Sequence, residues 1–134
     1  MIVRKIDHIG IAVSNLDRVL KFYTESLGLK LQSVEIIPEH EVKTAIIQFG
    51  DSKIELLEST SPEGAIAKFI EKKGEGLHHL ALEVSDVREA IEELRNKGVI
   101  LIDNTPRPGA DNTSIAFVHP KESRVLLELV EPGK

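Results

Sequence analysis

The sequence predicts an α+β fold in which two tandem β-α-β-β-β units, about residues 3–58 and 76–131, make a mixed sheet curled into a cup. Three observations predict it. An internal repeat sets Ile6-Asp7-His8-Ile9-Gly10-Ile11-Ala12-Val13 against Leu77-His78-His79-Leu80-Ala81-Leu82-Glu83-Val84, at an offset of 79 − 8 = 71. Each copy continues into Ser plus Asn or Asp, then an amphipathic run that ends at a glycine, Gly28 or Gly98. The closing segments Ile54-Glu55-Leu56-Leu57-Glu58 and Leu127-Glu128-Leu129-Val130-Glu131 match as well, at an offset of 128 − 55 = 73.

Taken in order, residues 3–13 alternate as a strand, with Ile9, Ile11 and Val13 on one face and His8, Gly10 and Ala12 on the other. Ser14 opens a helix in a capping-box arrangement with Asp17, and Leu16, Val19, Leu20, Tyr23 and Leu27 follow at helical spacing. Three strands come next: 30–37, 42–49 and 53–58. The Pro38-Glu39-His40-Glu41 segment and the Gly50-Asp51-Ser52 turn divide them. Residues 59–74 read as a loop and short helix joining the halves, with Pro62 near the start and Ile66, Phe69 and Ile70 on one face.

The second unit opens with strand 76–84. Helix 86–97 has Asp86 as N-cap, and Val87, Ala90, Ile91 and Leu94 point inward. A short strand 99–102, a Pro/Gly-rich loop 103–112 and strands 113–119 and 124–131 complete it. No linker divides the 134 residues, so a single domain made of two repeats is expected.

Composition narrows the function. With no Cys there is no disulfide framework, thiolate nucleophile or Cys-ligated metal site. A net charge of −5 argues against non-specific nucleic-acid binding. No apolar run reaches membrane-span length and no signal peptide is evident, so a cytoplasmic location is expected, with no membrane partner.

The repeat gives each half one histidine on its first strand and one glutamate on its last. Glu55 faces away from Ile54 and Leu56, and Glu128 faces away from Leu127 and Leu129. If both sheets curl, His8, Glu55, His79 and Glu128 point into the cup. Two imidazoles and two carboxylates suit a divalent first-row metal, and a six-coordinate ion keeps two positions open. Singly, such residues are more often structural or solvated. Recurrence of both types at matching places is what points to a site.

On these residues the chain resembles the vicinal oxygen chelate (glyoxalase) superfamily. Within it, the resemblance to the methylmalonyl-CoA epimerase family covers nearly the whole chain. Gly74-Glu75-Gly76-Leu77-His78-His79-Leu80-Ala81, Arg107-Pro108-Gly109-Ala110 and Phe117-Val118-His119-Pro120-Lys121 carry it alongside the two repeat landmarks. The resemblance implies His8, Glu55, His79 and Glu128 as metal ligands, with Glu128 also catalytic. It implies Co²⁺ first among metals, with Mn²⁺, Ni²⁺, Zn²⁺ or Fe²⁺ compatible. The implied reaction interconverts (2R)- and (2S)-methylmalonyl-CoA by α-proton abstraction through a metal-stabilised enolate. A homodimer with an acyl-CoA substrate is implied too.

The chain departs from part of that family at two places. Some members carry a glutamate acid/base residue where this chain has Thr44, whose hydroxyl is too weak an acid to replace it. Lys43, Glu41 or a metal-bound water are the candidate substitutes, although Lys43 faces away from Thr44 in a regular strand. Gln48 shares the face of Thr44, and both are candidate substrate contacts. After Lys121 the chain reads Glu122-Ser123-Arg124 where members often have Gly-Gly, leaving Arg107, Lys121 and Arg124 as cationic candidates for coenzyme A phosphates. His78 and His119 read as structural.

Two other functions fit the same scaffold. A lactoylglutathione lyase would use a similar site for enediolate chemistry on a glutathione adduct. A metal-free small-molecule binder would want an aromatic cleft, for which four Phe, one Tyr and no Trp are sparse.

Overall fold

Alternation in the first strand decides where everything else packs. The computed structural model describes residues 1–133, with side chains for all of these except Phe49 and Asp111. The described residues form strands β1 (Val3–Ala12), β2 (Lys30–Ile37), β3 (Val42–Phe49), β4 (Ser52–Ser59), β5 (Gly76–Val84), β6 (Arg107–Pro108), β7 (Ser114–Val118) and β8 (Leu126–Glu131). Helices α1 (Leu16–Lys21), α2 (Ala65–Lys73), α3 (Val87–Asn96) and α4 (Pro120–Ser123) lie between them. The α+β class and the mixed sheet agree with expectation. Two compact units divide the chain: residues 8–78, and residues 1–7 with the chain from His79 onward.

In the unit of residues 8–78 the strand order is β2-β3-β4-β1, antiparallel except for the parallel pair β4–β1. Its two faces have different cover. Val13, Leu16, Ala45, Ile47 and Leu56 are buried in one cluster that Val19, Leu20 and Tyr23 of the first helical segment complete. The opposite face buries Ala12, Val42, Leu57 and Ile66 beneath Phe69 and Ile70, which is the apolar face expected of α2. That cover reaches one end of the face. His8 and Glu55 occupy the other.

Helix α1 departs from expectation at both ends. Its N-cap is Asn15, whose side-chain oxygen accepts the Arg18 N–H at 3.1 Å, so Ser14 is not the cap. After Lys21 the helix widens into a π-helical turn, Phe22–Ser26, closed by the Leu27 N–H donating to the Phe22 carbonyl. Gly28, with φ of +73°, ends it. Helix α2 begins at Ala65 behind Gly64, three residues beyond Pro62.

In the other unit the order from residues 3–7 of β1 is β1-β5-β8-β7-β6, and β5–β8 is again the parallel pair. Val84, Val87, Ala90, Ile91, Ala116, Val118 and Leu129 form its core, with α3 supplying the expected face. Asp86 caps α3 by accepting the Glu89 N–H at 3.0 Å. The expected strand 99–102 reduces to a single bridge, Leu101 with Val118, because Ile100 and Ile102 are exposed and no burial holds a longer ladder. Arg107 and Pro108, expected in a loop, pair with β7 instead. Strand β8 starts at Leu126, after α4. Arg124 takes the left-handed turn before it at φ of +67°, a conformation that favours glycine. Among the described residues no helix is long and apolar enough to cross a membrane.

Candidate functional site

The first strand of each unit and its parallel neighbour deliver the same pair of side chains. In β1–β4, Gly10 lies beside Glu55, and His8 precedes Gly10 by two residues on the same face. In β5–β8, Ala81 lies beside Glu128, and His79 precedes Ala81 by two residues. Small residues at Gly10 and Ala81 leave room for the glutamates. The resulting separations are His8 Nε2 to Glu55 Oε2, 3.9 Å, and His79 Nε2 to Glu128 Oε1, 3.6 Å.

His8, His79 and Glu128 are buried, at 8%, 5% and 7% exposure, and Glu55 is half-buried. Buried imidazole and carboxylate are costly without partners of opposite character. Both separations exceed a hydrogen bond yet fall short of twice a metal–ligand bond of about 2.1 Å. Each pair therefore fits a divalent cation between its two atoms. The donor set, nitrogen plus carboxylate oxygen, fits first-row metals.

Around the first pair, Thr44 is buried on the face of Glu55, with Leu57 opposite it on β4. Ile46 lies directly across from Glu55, and Gln48 across from Lys53. Gln48 is exposed. Lys43 shares the other face with Ala45 and Ile47, as its place in the strand predicts. Glu41 is in the turn before β3 at φ of +52°, where its carbonyl accepts the Thr60 N–H.

Around the second pair, Phe117 sits across β7 from Glu128 and presents its ring edge-on to His79, with centroids 6.5 Å apart. Arg107 covers the same ring, its guanidinium carbon 5.0 Å from the centroid. Asp103 fixes both: its Oδ2 accepts the Phe117 N–H at 2.8 Å and meets Arg107 Nε and Nη2 at 3.1 and 3.0 Å. Sequence reasoning singled out Arg107 but missed Phe117 and Asp103. A packing contact and a side-chain bond 14 residues apart leave no periodic signal.

His78 and His119 make the structural contacts expected of them. His78 packs against Phe69 with ring centroids 4.8 Å apart, and burial, then Lys73, holds its imidazole below the ordinary pKa. His119 caps α4, its Nδ1 accepting the Lys121 N–H at 3.0 Å. Lys121 itself is exposed on α4.

Comparison with known proteins places this geometry in a family. A family model described as the glyoxalase/bleomycin resistance protein/dioxygenase superfamily matches residues 7–117. The chain is 40% identical over 131 residues to the uncharacterized protein YqjC of Bacillus subtilis (strain 168), covering 97% of this chain and 94% of that one. The crystal structure of hypothetical protein BH1468 from Bacillus halodurans C-125 superposes with a TM-score of 0.93 at 49% identity, over 97% of this chain and 95% of that one. A methylmalonyl-CoA epimerase in complex with methylmalonyl-CoA and NH4+ superposes with a TM-score of 0.90 at 36% identity, over 98% and 96%.

Proposed function

The chain belongs to the glyoxalase/bleomycin resistance protein/dioxygenase superfamily, and from that membership we propose that it is a divalent-metal-dependent epimerase interconverting (2R)- and (2S)-methylmalonyl-CoA. The observation that carries the reading is the duplicated pair: a histidine two residues ahead of the glutamate's neighbour on a parallel strand, in both units. Likeness to an epimerase that binds methylmalonyl-CoA supports the substrate.

In this reading the repeats act as one domain, and His8, Glu55, His79 and Glu128 hold one cation. The group His8, Glu55 and His79 has the donor chemistry for it. Glu128 joins them in this reading through His79, whose Nε2 lies 3.6 Å from the Glu128 Oε1.

A divalent cation bound there supplies Lewis-acid stabilisation of negative charge on a substrate oxygen. The chain's own residues do the rest. Glu128 is assigned one of the two proton-carrying roles. Thr44 and Ile46 floor the acyl site beside Glu55, and Gln48 offers an amide at its open edge. Arg107, held by Asp103, and Lys121 offer positive charge to the coenzyme A phosphates. The homodimer expected of the family belongs to the proposal, and Ile2, Ile36 and Leu77, each 63% exposed, are apolar side chains it has to cover.

Proton NMR of methylmalonyl-CoA in D₂O, with EDTA-stripped protein before and after Co²⁺, tests the reading. Metal-dependent loss of the α-proton signal, absent in His79→Ala, is the expected result. Stoichiometric metal binding without that loss would sink the epimerase reading and direct attention to a glutathione adduct.

A further inference from the structure

We propose that Glu35 is the proton carrier on the β2 side of the acyl site. The inference rests on the epimerase reading above. Inverting an α-carbon breaks its C–H bond on one face and makes a new one on the other, so a second group must stand across the substrate from the first. Residues 8–78 contain a candidate that the sequence alone does not disclose.

Cross-strand pairing carries the face of Glu55 outward through the sheet. From Leu57 on β4 it passes to Thr44 on β3, and from Thr44 to Glu35 on β2. Directly opposed residues share a face, so Glu35 and Glu55 stand on the same side of the sheet. Among the described strand residues of this unit, they are the two carboxylates on that side. Two strand spacings and one two-residue step put their Cα atoms about 12 Å apart. That distance leaves room for an α-carbon between Glu35 and a substrate oxygen held at Glu55.

Three further features favour Glu35. Thr44 is short, so its own side chain does not stand as a bulky wall between Glu35 and the face of Glu55. Glu35 is exposed, so it can exchange its proton with water between turnovers. The alternatives on β3 and its turn are misplaced: Lys43 lies on the opposite face, and Glu41 is in the left-handed turn that ties to Thr60.

In the forward direction the Glu35 carboxylate takes the α-proton. The C–H electron pair stays with the substrate as an enolate whose charge rests on the thioester oxygen. A protonated group on the far face then gives its proton to the α-carbon. In the reverse direction Glu35 begins protonated and is the donor, so no other reactant is consumed.

Glu35→Gln, loaded with Co²⁺ and given each epimer separately in D₂O, tests the role. Interconversion is expected to fall at least about 100-fold. One epimer should still exchange its α-proton without inverting, while the other loses exchange. Melting temperature and Co²⁺ affinity should stay at wild-type values. Interconversion within about threefold of wild type would overturn the proposal, as would equal loss of exchange for both epimers. Wild-type protein run alongside separates the two readings, because absence of exchange there overturns the epimerase assignment and this role with it.

Discussion

Glu58 accepts the backbone N–H of Leu16 at 2.7 Å, tying the last strand of its unit to the first turn of α1. Glu131 does the same for Val87 at the start of α3, at 2.9 Å. These are the second glutamates of the matched closing segments, so the repeat duplicates a structural device as well as the pairs with histidine. Each supplies an anionic acceptor to an N–H that has no partner within its helix, at the positive end of the helix dipole.

Glu58→Ala or Glu131→Ala should therefore cost about 1–3 kcal/mol, since each leaves a part-buried N–H unsatisfied. Glu→Gln keeps an oxygen acceptor and should cost less. Urea unfolding midpoints of the four variants check this, and midpoints equal to wild type for both alanine variants would contradict it.

Arg107 is held twice by Asp103 and lies over Phe117, whose ring meets that of His79 edge-on. A guanidinium fixed in that way suits recognition of a phosphate more than a mobile lysine would. Arg107→Ala should raise KM for the coenzyme A thioester about tenfold, a loss of about 1.4 kcal/mol, with kcat little changed. A truncated thioester without the coenzyme A phosphates should show no such change. Equal effects on both substrates would contradict the assignment.

The Met1 ammonium lies 2.9 Å from Glu89 and 2.8 Å from Glu93 on α3. Hydrogen bonding to Glu93, then to Glu89, raises the amine above its ordinary 8.0, and the amine in turn lowers Glu93 below 4.5. A raised cationic group gives stability that is complete below pH 8 and is lost as pH rises through its folded value. A lowered carboxyl gives stability that is complete above pH 4.5 and is lost as pH falls through its folded value. Unfolding midpoints should thus be level between these values and decline outside them. Acetylating the amine should remove the alkaline decline, and Glu93→Gln should remove the acid one.

Much of this was legible because local pattern and burial agree. Strands β2 and β3 match their expected bounds since each lies between strong turn signals, and Asp86 caps α3 where its spacing to Glu89 says it should. His8 and Glu55 were readable because the same residue types return in His79 and Glu128. What could not be read depends on partners remote in sequence. Ile100 and Ile102 alternate like a strand, yet the segment keeps a single bridge to β7, Leu101 with Val118, and the isoleucines stay exposed. Asn15 and Ser14 are both good caps, and only the geometry of the Arg18 N–H chooses between them. Glu35 has no local signature, because its relation to Thr44 is set by the register of β2 on β3.

The account stands on the two pairs acting as one centre, and a metal titration tests that most directly. EDTA-stripped protein titrated with Co²⁺, followed by calorimetry and visible absorption, should take one equivalent per chain. His8→Ala and His79→Ala should each weaken binding by more than about 100-fold, beyond what loss of an outer partner costs. Two equivalents per chain, or a His8→Ala variant that binds Co²⁺ as wild type does, would contradict it.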